Sequence, residues 1–333
     1  MTLVAVLAAA VIAAAGVPGR APAAPPAGPG PGDASGVIRG RVIDRTAPAH
    51  PVAGQLVRLE IVERGASSER QTRTGADGAY VFSGLPVGGL KIFLLTTDYQ
   101  GATYEGAQRI VLTADAPARD LPLTVYEAGA DRRALRGALL FAVVDVVPGA
   151  LRVTTVEQVR NPTDRTVVAT PADPLAFPLP AGAGAVQPLD GWRDPHTEDG
   201  RITDTRAILP GTAQVTYAYQ ERPRSGDAAL AWTLPFGAAR VEILVSDTDI
   251  RVAADGLRPA DPVTTSGRRY VHWSGGSVGA GQAVLVRFSG LPAGEDRWPG
   301  AVAAALAAAL AAGLGVALRR SAAKTRVPAS SAS

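Results

Sequence analysis

Apolar and polar residues alternate along most of this chain in short runs. Val37 to Asp44, Gln55 to Val62, Glu69 to Thr74, Ala79 to Ser83, Gly89 to Thr97, Gln108 to Thr113 and Leu121 to Tyr126 each read as a strand. Val57, Leu59 and Ile61 fall on one face of theirs, because successive side chains of a strand point to opposite sides. Gly, Pro and Asp fill the gaps. About seven short strands in some ninety residues predict a β-sandwich over 36–128. The alternation resumes from Ala138 to Val147 and Leu151 to Arg160, which flank Pro148-Gly149 as a hairpin. It continues over Arg201 to Ile208, Ala213 to Gln220, Ala228 to Leu234, Arg240 to Ser246, Ile250 to Ala254, Arg269 to Ser274 and Ala283 to Ser289. These strands predict a second, larger sandwich over 134–291. Glu127 to Arg133 is polar, lacks alternation and reads as the linker between them.

Two runs break this pattern, one at each end. Leu3 to Val17 is apolar but shorter than the ~20 residues that span a bilayer. Ala13-Ala14-Ala15 and Ala21-Pro22-Ala23 both match a small-residue cleavage pattern, so 1–23 reads as a signal peptide, although no Lys or Arg precedes the run. Residues 24–35 are a Pro/Ala/Gly-rich spacer. Pro299 to Leu318 has no charge and the length of a membrane span. Trp298 precedes it as an interfacial anchor, and Arg319-Arg320 follows. Val302, Leu306, Leu310, Leu314 and Leu318 recur every fourth residue and make one bulky stripe among Ala and Gly. The expected architecture is all-β: two consecutive β-sandwiches plus one C-terminal transmembrane helix over 299–318 and a basic cytoplasmic tail over 319–333. The expected topology is single-pass type I in the cell membrane, with the bulk of the chain extracellular or periplasmic.

Composition narrows the chemistry. The 333 residues are 47% hydrophobic and 19% charged, with 37 Gly, 27 Pro and no Cys. The lack of Cys excludes disulfides, thiolate metal sites and cysteine nucleophiles. The net charge of +3 arises at the ends, where Arg20, Arg319, Arg320, Lys324 and Arg326 stand in segments without an acid. No basic cluster marks a nucleic-acid face in the body, and no nucleic-acid partner is expected.

One segment is more specific than its periodicity. Gly40-Arg41-Val42-Ile43-Asp44, Pro51-Val52-Ala53-Gly54 and Val57-Arg58-Leu59 precede Thr72-Arg73-Thr74-Gly75-Ala76-Asp77-Gly78-Ala79-Tyr80-Val81-Phe82-Ser83-Gly84-Leu85-Pro86. Asp77-Gly78 reads as a tight hairpin turn, Tyr80 and Phe82 as two core aromatics on one face, and Gly84 to Gly88 as a crossing between sheets. Over 36–128 the chain resembles the carboxypeptidase regulatory-like family. That resemblance implies a transthyretin-like accessory sandwich without catalytic residues, in a fold often grouped with carbohydrate-binding domains.

Four features carry candidate chemistry. Tyr99 and Tyr104 flank a short polar loop and are candidate stacking residues for a carbohydrate; the alternative is that they pack the loop down. Asp194, His196, Glu198 and Asp199 gather carboxylates and an imidazole in one loop as candidate metal ligands, in a spacing that fits no known calcium loop. Gly275-Gly276-Ser277-Val278-Gly279 matches G-x-S-x-G, but it joins two strands, whereas the nucleophile elbow needs a strand followed by a helix. The small-residue membrane helix is suited to pairing with another membrane or envelope protein. No cofactor string is present. The reading is a membrane-anchored binding or scaffolding protein without catalytic activity, with a carbohydrate-binding module as the alternative and an esterase-like hydrolase using Ser277 as the third.

Overall fold

The computed structural model describes residues 35–294, apart from 65, 90, 107–109, 130, 224–225 and 266. Residues 1–34 and 295–333 lie outside this range, and with them the leader, spacer, membrane helix and tail read from the sequence. Among the described residues no helix is long and apolar enough to cross a membrane.

The N-terminal unit contains β1 (Ser35–Asp44), β2 (His50–Pro51), β3 (Leu56–Glu63), β4 (Ala66–Arg73), β5 (Ala79–Pro86), β6 (Lys91–Tyr99), β7 (Ala102–Glu105), β8 (Ala118–Asp120) and β9 (Leu123–Val125). One sheet is centred on β1, which pairs antiparallel with β2 and β5 and parallel with β8 and β9. The other runs β4-β3-β6-β7. Alternation is the cause of the packing: Ile38 and Val42, Val57, Leu59 and Ile61, Tyr80 and Phe82, and Phe93 and Leu95 all turn inward and close one apolar core. The rings of Tyr80 and Phe82 meet edge-on at 6.1 Å.

Asp77-Gly78 is a turn, but not the hairpin read from its sequence. β3 occupies one side of β4, and β5 pairs with β1 in the opposite sheet. The turn therefore carries the chain from one sheet to the other. The described residues of the stretch Gln108–Thr113 form no strand, only isolated bridges from Ile110 to Phe93 and from Thr113 to Ala116.

The C-terminal unit contains β10 (Arg136–Val147), β11 (Ala150–Asn161), β12 (Leu175–Pro178), β13 (Gly184–Asp190), β14 (His196–Glu198), β15 (Arg201–Asp204), β16 (Gly211–Glu221), β17 (Asp227–Thr233), β18 (Val241–Ser246), β19 (Arg251–Ala254), β20 (Arg258–Thr265), β21 (Arg268–Gly275) and β22 (Ala283–Ser289). A seven-stranded sheet runs β13-β16-β11-β10-β18-β21-β20. One of its faces is covered by two three-stranded sheets, β17-β22-β19 and β12-β15-β14. Leu230, Trp232, Val286 and Phe288 meet Leu140, Val153, Tyr217 and Ile243 in one core, and Leu175 and Phe177 meet Val159 and Val215 in the adjoining one. Alternation located the long strands here. It passed over β12, β13, β14 and β20, which are short or interrupted by proline (Pro188, Pro259, Pro262) and so carry little period-two signal.

The two cores are separate, and polar groups join the units. Tyr104 Oη lies 2.7 Å from Thr166 Oγ1 and donates to the Tyr126 carbonyl at 2.6 Å. Thr166 N donates to Glu127 O at 2.8 Å, and Gly129 N donates to Thr166 O at 3.1 Å. Arg165 pairs with Glu127, and Ala47 N donates to Asp164 Oδ2 at 3.3 Å. Ala207 and Leu209 of the C-terminal unit pack against the N-terminal core. The segment read as a linker is thus bonded into the neighbouring unit at Glu127 to Gly129.

Candidate binding cleft between the two sandwiches

A cleft of about 700 Å³ opens where the units meet, lined by Thr103 and Glu105 of β7, by Asp190 to Arg193, and by Arg206, Ala207 and Leu209. Its volume is in the range of small-molecule sites, which favour domain boundaries. Its floor is built from the residue upward. Gly191 has φ +81°, and a Cβ there would stand 1.9 Å from the Gln214 carbonyl, so only glycine lets the chain turn so tightly against β16. Trp192 follows, its Nε1 donating to Thr216 O at 2.7 Å and its ring held edge-on against Phe177 at 5.3 Å and Tyr217 at 6.2 Å. The next two residues are fixed by the buried carboxylate of Asp204, which accepts from Asp194 N at 2.8 Å and from Arg193 N at 3.2 Å.

Two arginines give the cleft its chemistry. Arg193 Nη1 reaches across the boundary to Thr103 Oγ1 at 2.8 Å. Arg206 Nη1 donates to the carbonyls of Gly191 and Gln214. Among the described residues neither guanidinium has a carboxylate oxygen within 4.0 Å. An exposed guanidinium at Arg193 and a half-buried one at Arg206 beside an aromatic ring, with Asp190 and Glu105 as further lining acceptors, make a surface for a polar ligand.

The residues singled out by sequence are placed differently. Tyr104 is 1% exposed, so it cannot offer a ring face to a sugar. Tyr99 is half-buried and donates to Asp44 Oδ2 at 2.9 Å; burial, reinforced by that carboxylate, pushes its hydroxyl up to about 12. Tyr99 is thus tied to β1 and Tyr104 to the seam with the C-terminal unit. Asp194, His196, Glu198 and Asp199 do not converge: among the described residues no three His, Cys, Asp or Glu could hold a metal ion. The reason is the strand β14, whose His196 and Glu198 pair with Thr203 and Arg201 while Asp199 turns toward Arg201 at 3.7 Å. Ser277 is exposed in the loop between β21 and β22, so the next element after it is a strand and not the helix of a nucleophile elbow. Trp298, Leu306, Leu310, Leu314, Arg319 and Arg320 lie outside the described residues.

Sequence reasoning missed Arg193, Arg206, Glu105 and the full setting of Trp192. The only local signal was the Gly191-Trp192-Arg193-Asp194 turn; the partners come from distant parts of the chain. It also missed a buried polar cluster on β18 and β21. Glu242 is 0% exposed and accepts from Ser274 Oγ at 3.1 Å and from Arg240, with His272 Nε2 at 2.5 Å. Ser274 is bonded to the carboxylate rather than to the imidazole, so the cluster contains no base-to-nucleophile relay.

No family model matches the chain, and no curated protein matches it. Solved structures with partial likeness include an M1 zinc metallopeptidase from Deinococcus radiodurans, 15% identical with a TM-score of 0.32 over 47% of this chain and 42% of that one. A two-domain M1 zinc metallopeptidase variant bound to L-tryptophan is 14% identical, with a TM-score of 0.32 over 47% of this chain and 43% of that one. The chain covers less than half the length of each of these proteins. At these values none of their chemistry transfers to this chain.

Proposed function

We propose that this chain is a membrane-anchored, extracytoplasmic binding or scaffolding protein without catalytic activity, whose N-terminal sandwich is of the carboxypeptidase regulatory-like kind. The observation that carries the reading is the interdomain cleft, where Arg193 and Arg206 stand beside Trp192 bonded to neutral oxygens and, among the described residues, to no carboxylate. A binding role also agrees with the polar seam, which holds the cleft walls at a set spacing. The membrane assignment rests on the apolar run 299–318 with Trp298 and Arg319-Arg320 at its ends. The test is capture from detergent-solubilised membranes with the full chain as bait, in parallel with Trp192→Ala and Arg206→Ala. A partner held by the parent and released by both variants supports the reading. A partner held equally by all three removes the cleft from it, and turnover of activated esters abolished by Ser277→Ala would replace it with a hydrolase.

Carbohydrate is the ligand class favoured next. An aromatic ring flanked by two guanidinium groups and two carboxylates offers an apolar plane together with donors and acceptors, which a sugar ring needs. This moves the carbohydrate reading from the Tyr99/Tyr104 loop to Trp192. Glycan-array binding lost on Trp192→Ala and kept on Tyr99→Phe is the expected result for it.

A further inference from the structure

Sheet edges present rows of unpaired N–H and C=O groups, and proteins block most of them. In this chain the two edges of the seven-stranded sheet are blocked. β13 carries Pro188 and two register shifts, and β20 carries Pro259, Pro262 and a shift. β17 is approached by β12. β5 contains Gly84 at φ +65°, and its Ser83 carbonyl accepts from Arg70 at 2.9 Å. The edge strand β4 is approached by β5 and carries one inward-pointing charge, Arg70, but it has no proline, glycine or register shift. Its eight residues, Ala-Ser-Ser-Glu-Arg-Gln-Thr-Arg, contain no Pro or Gly, and it pairs with β3 from Glu63–Ala66 to Leu56–Arg73 without a shift. Every residue of β4 except Thr72 is exposed. Arg70, the one charge on its core-facing side, is turned back onto β5.

The charges along β4 choose the occupant. Glu69, Gln71 and Arg73 share the outer face. Within the molecule Glu69 stands directly opposite Glu60, a like-charge pair, and among the described residues its carboxylate accepts only from the neutral amide of Gln71 at 2.5 Å. A second copy of β4, added antiparallel about a two-fold axis normal to the sheet, keeps the faces of both sheets aligned, so only residues of the same parity come opposite each other. Centred on Gln71, that register sets Glu69 against Arg73 of the second copy and Arg73 against its Glu69, with amide facing amide at Gln71 and Arg70 facing Thr72. Centring on Glu69 or on Arg70 would instead oppose like charges. We propose that the β4 edge is a self-association surface, through which two copies of this chain join their β4-β3-β6-β7 sheets in the register centred on Gln71.

The chain has no cysteine, which makes the test direct. Gln71→Cys in the full chain should cross-link to a dimer with a short bis-maleimide, because the two thiols face each other across the axis. Ser67→Cys lies on the same face and serves as control, since its two copies would stand about 27 Å apart at 3.4 Å per residue. Light scattering should show a dimer that Glu69→Arg weakens about tenfold, by turning two attractive cross-strand pairs into repulsive ones. Glu69→Arg combined with Arg73→Glu should restore it. A monomer at all concentrations, equal cross-linking at 67 and 71, or no rescue by the charge exchange overturns the proposal. Circular dichroism identical to the parent confirms that each variant is folded.

Discussion

Tyr104 of the N-terminal sandwich meets Thr166 of the C-terminal one at 2.7 Å, with both side chains buried at the seam. Tyr104→Phe removes the donor to the Tyr126 carbonyl and leaves the Thr166 hydroxyl without its partner. The expected loss is about 1–3 kcal/mol in chemical denaturation, the usual penalty of an orphaned buried polar group. The ion pair at the same seam is different. Arg165 and Glu127 are 43% and 34% exposed, so Arg165→Ala should cost less than about 1 kcal/mol. An Arg165→Ala effect equal to that of Tyr104→Phe would mean that charge, not the buried hydroxyl, holds the units together.

Stability should fall as pH rises through neutrality, and Glu157 is the reason. It is buried on β11, and burial pushes its carboxyl up to about 7 against the opposing effect of the Tyr217 hydroxyl, which donates to it at 2.9 Å. The folded protein therefore keeps this proton to higher pH than the unfolded chain, where a glutamate ionises near 4.3. Between those values the folded state binds more protons, so stability declines with pH, by roughly 4 kcal/mol in all. Glu157→Gln keeps an acceptor for Tyr217 and should flatten the decline. Denaturation midpoints measured from pH 4 to 8 check this; parallel curves for parent and variant would refute it.

Gly78 takes φ +74°, and a Cβ there would stand 2.7 Å from the Val42 carbonyl. Positive φ alone would admit Asn, which tolerates the left-handed region. The close backbone approach does not, because Asn carries the same Cβ. Both Gly78→Val and Gly78→Asn should therefore destabilise, the valine by about 3 kcal/mol or more. Gly54 is the control: it has φ +68° with open space around it, so Gly54→Asn should be tolerated. The comparison is read from melting temperatures.

If residues 299–318 anchor the chain, protease added to spheroplasts should digest both sandwiches and spare an epitope on the tail. A chain ending at Asp296 should leave the membrane fraction once the leader is removed. A tail epitope reached from outside would reverse the orientation.

Period-two alternation by itself determined that this protein is built from strands, and it located the long ones, because one buried face imposes an apolar residue at every second position. It also determined the inward direction of Tyr80 and Phe82 and the chemistry that a chain without cysteine lacks. Which strands share a sheet was decided by the tertiary structure. Asp77-Gly78 has the composition of a hairpin, yet β4 and β5 separate because each finds a better partner in β3 and β1. The cleft was decided the same way. Trp192, Arg193 and Arg206 are gathered by the C-terminal unit, and Thr103 joins them only when the two units dock; no local pattern records a contact made across about ninety residues of chain. Tyr104 shows the limit most directly. An aromatic beside a polar loop reads alike whether its ring faces solvent or a neighbouring domain, and Thr166, 62 residues away, makes it the second.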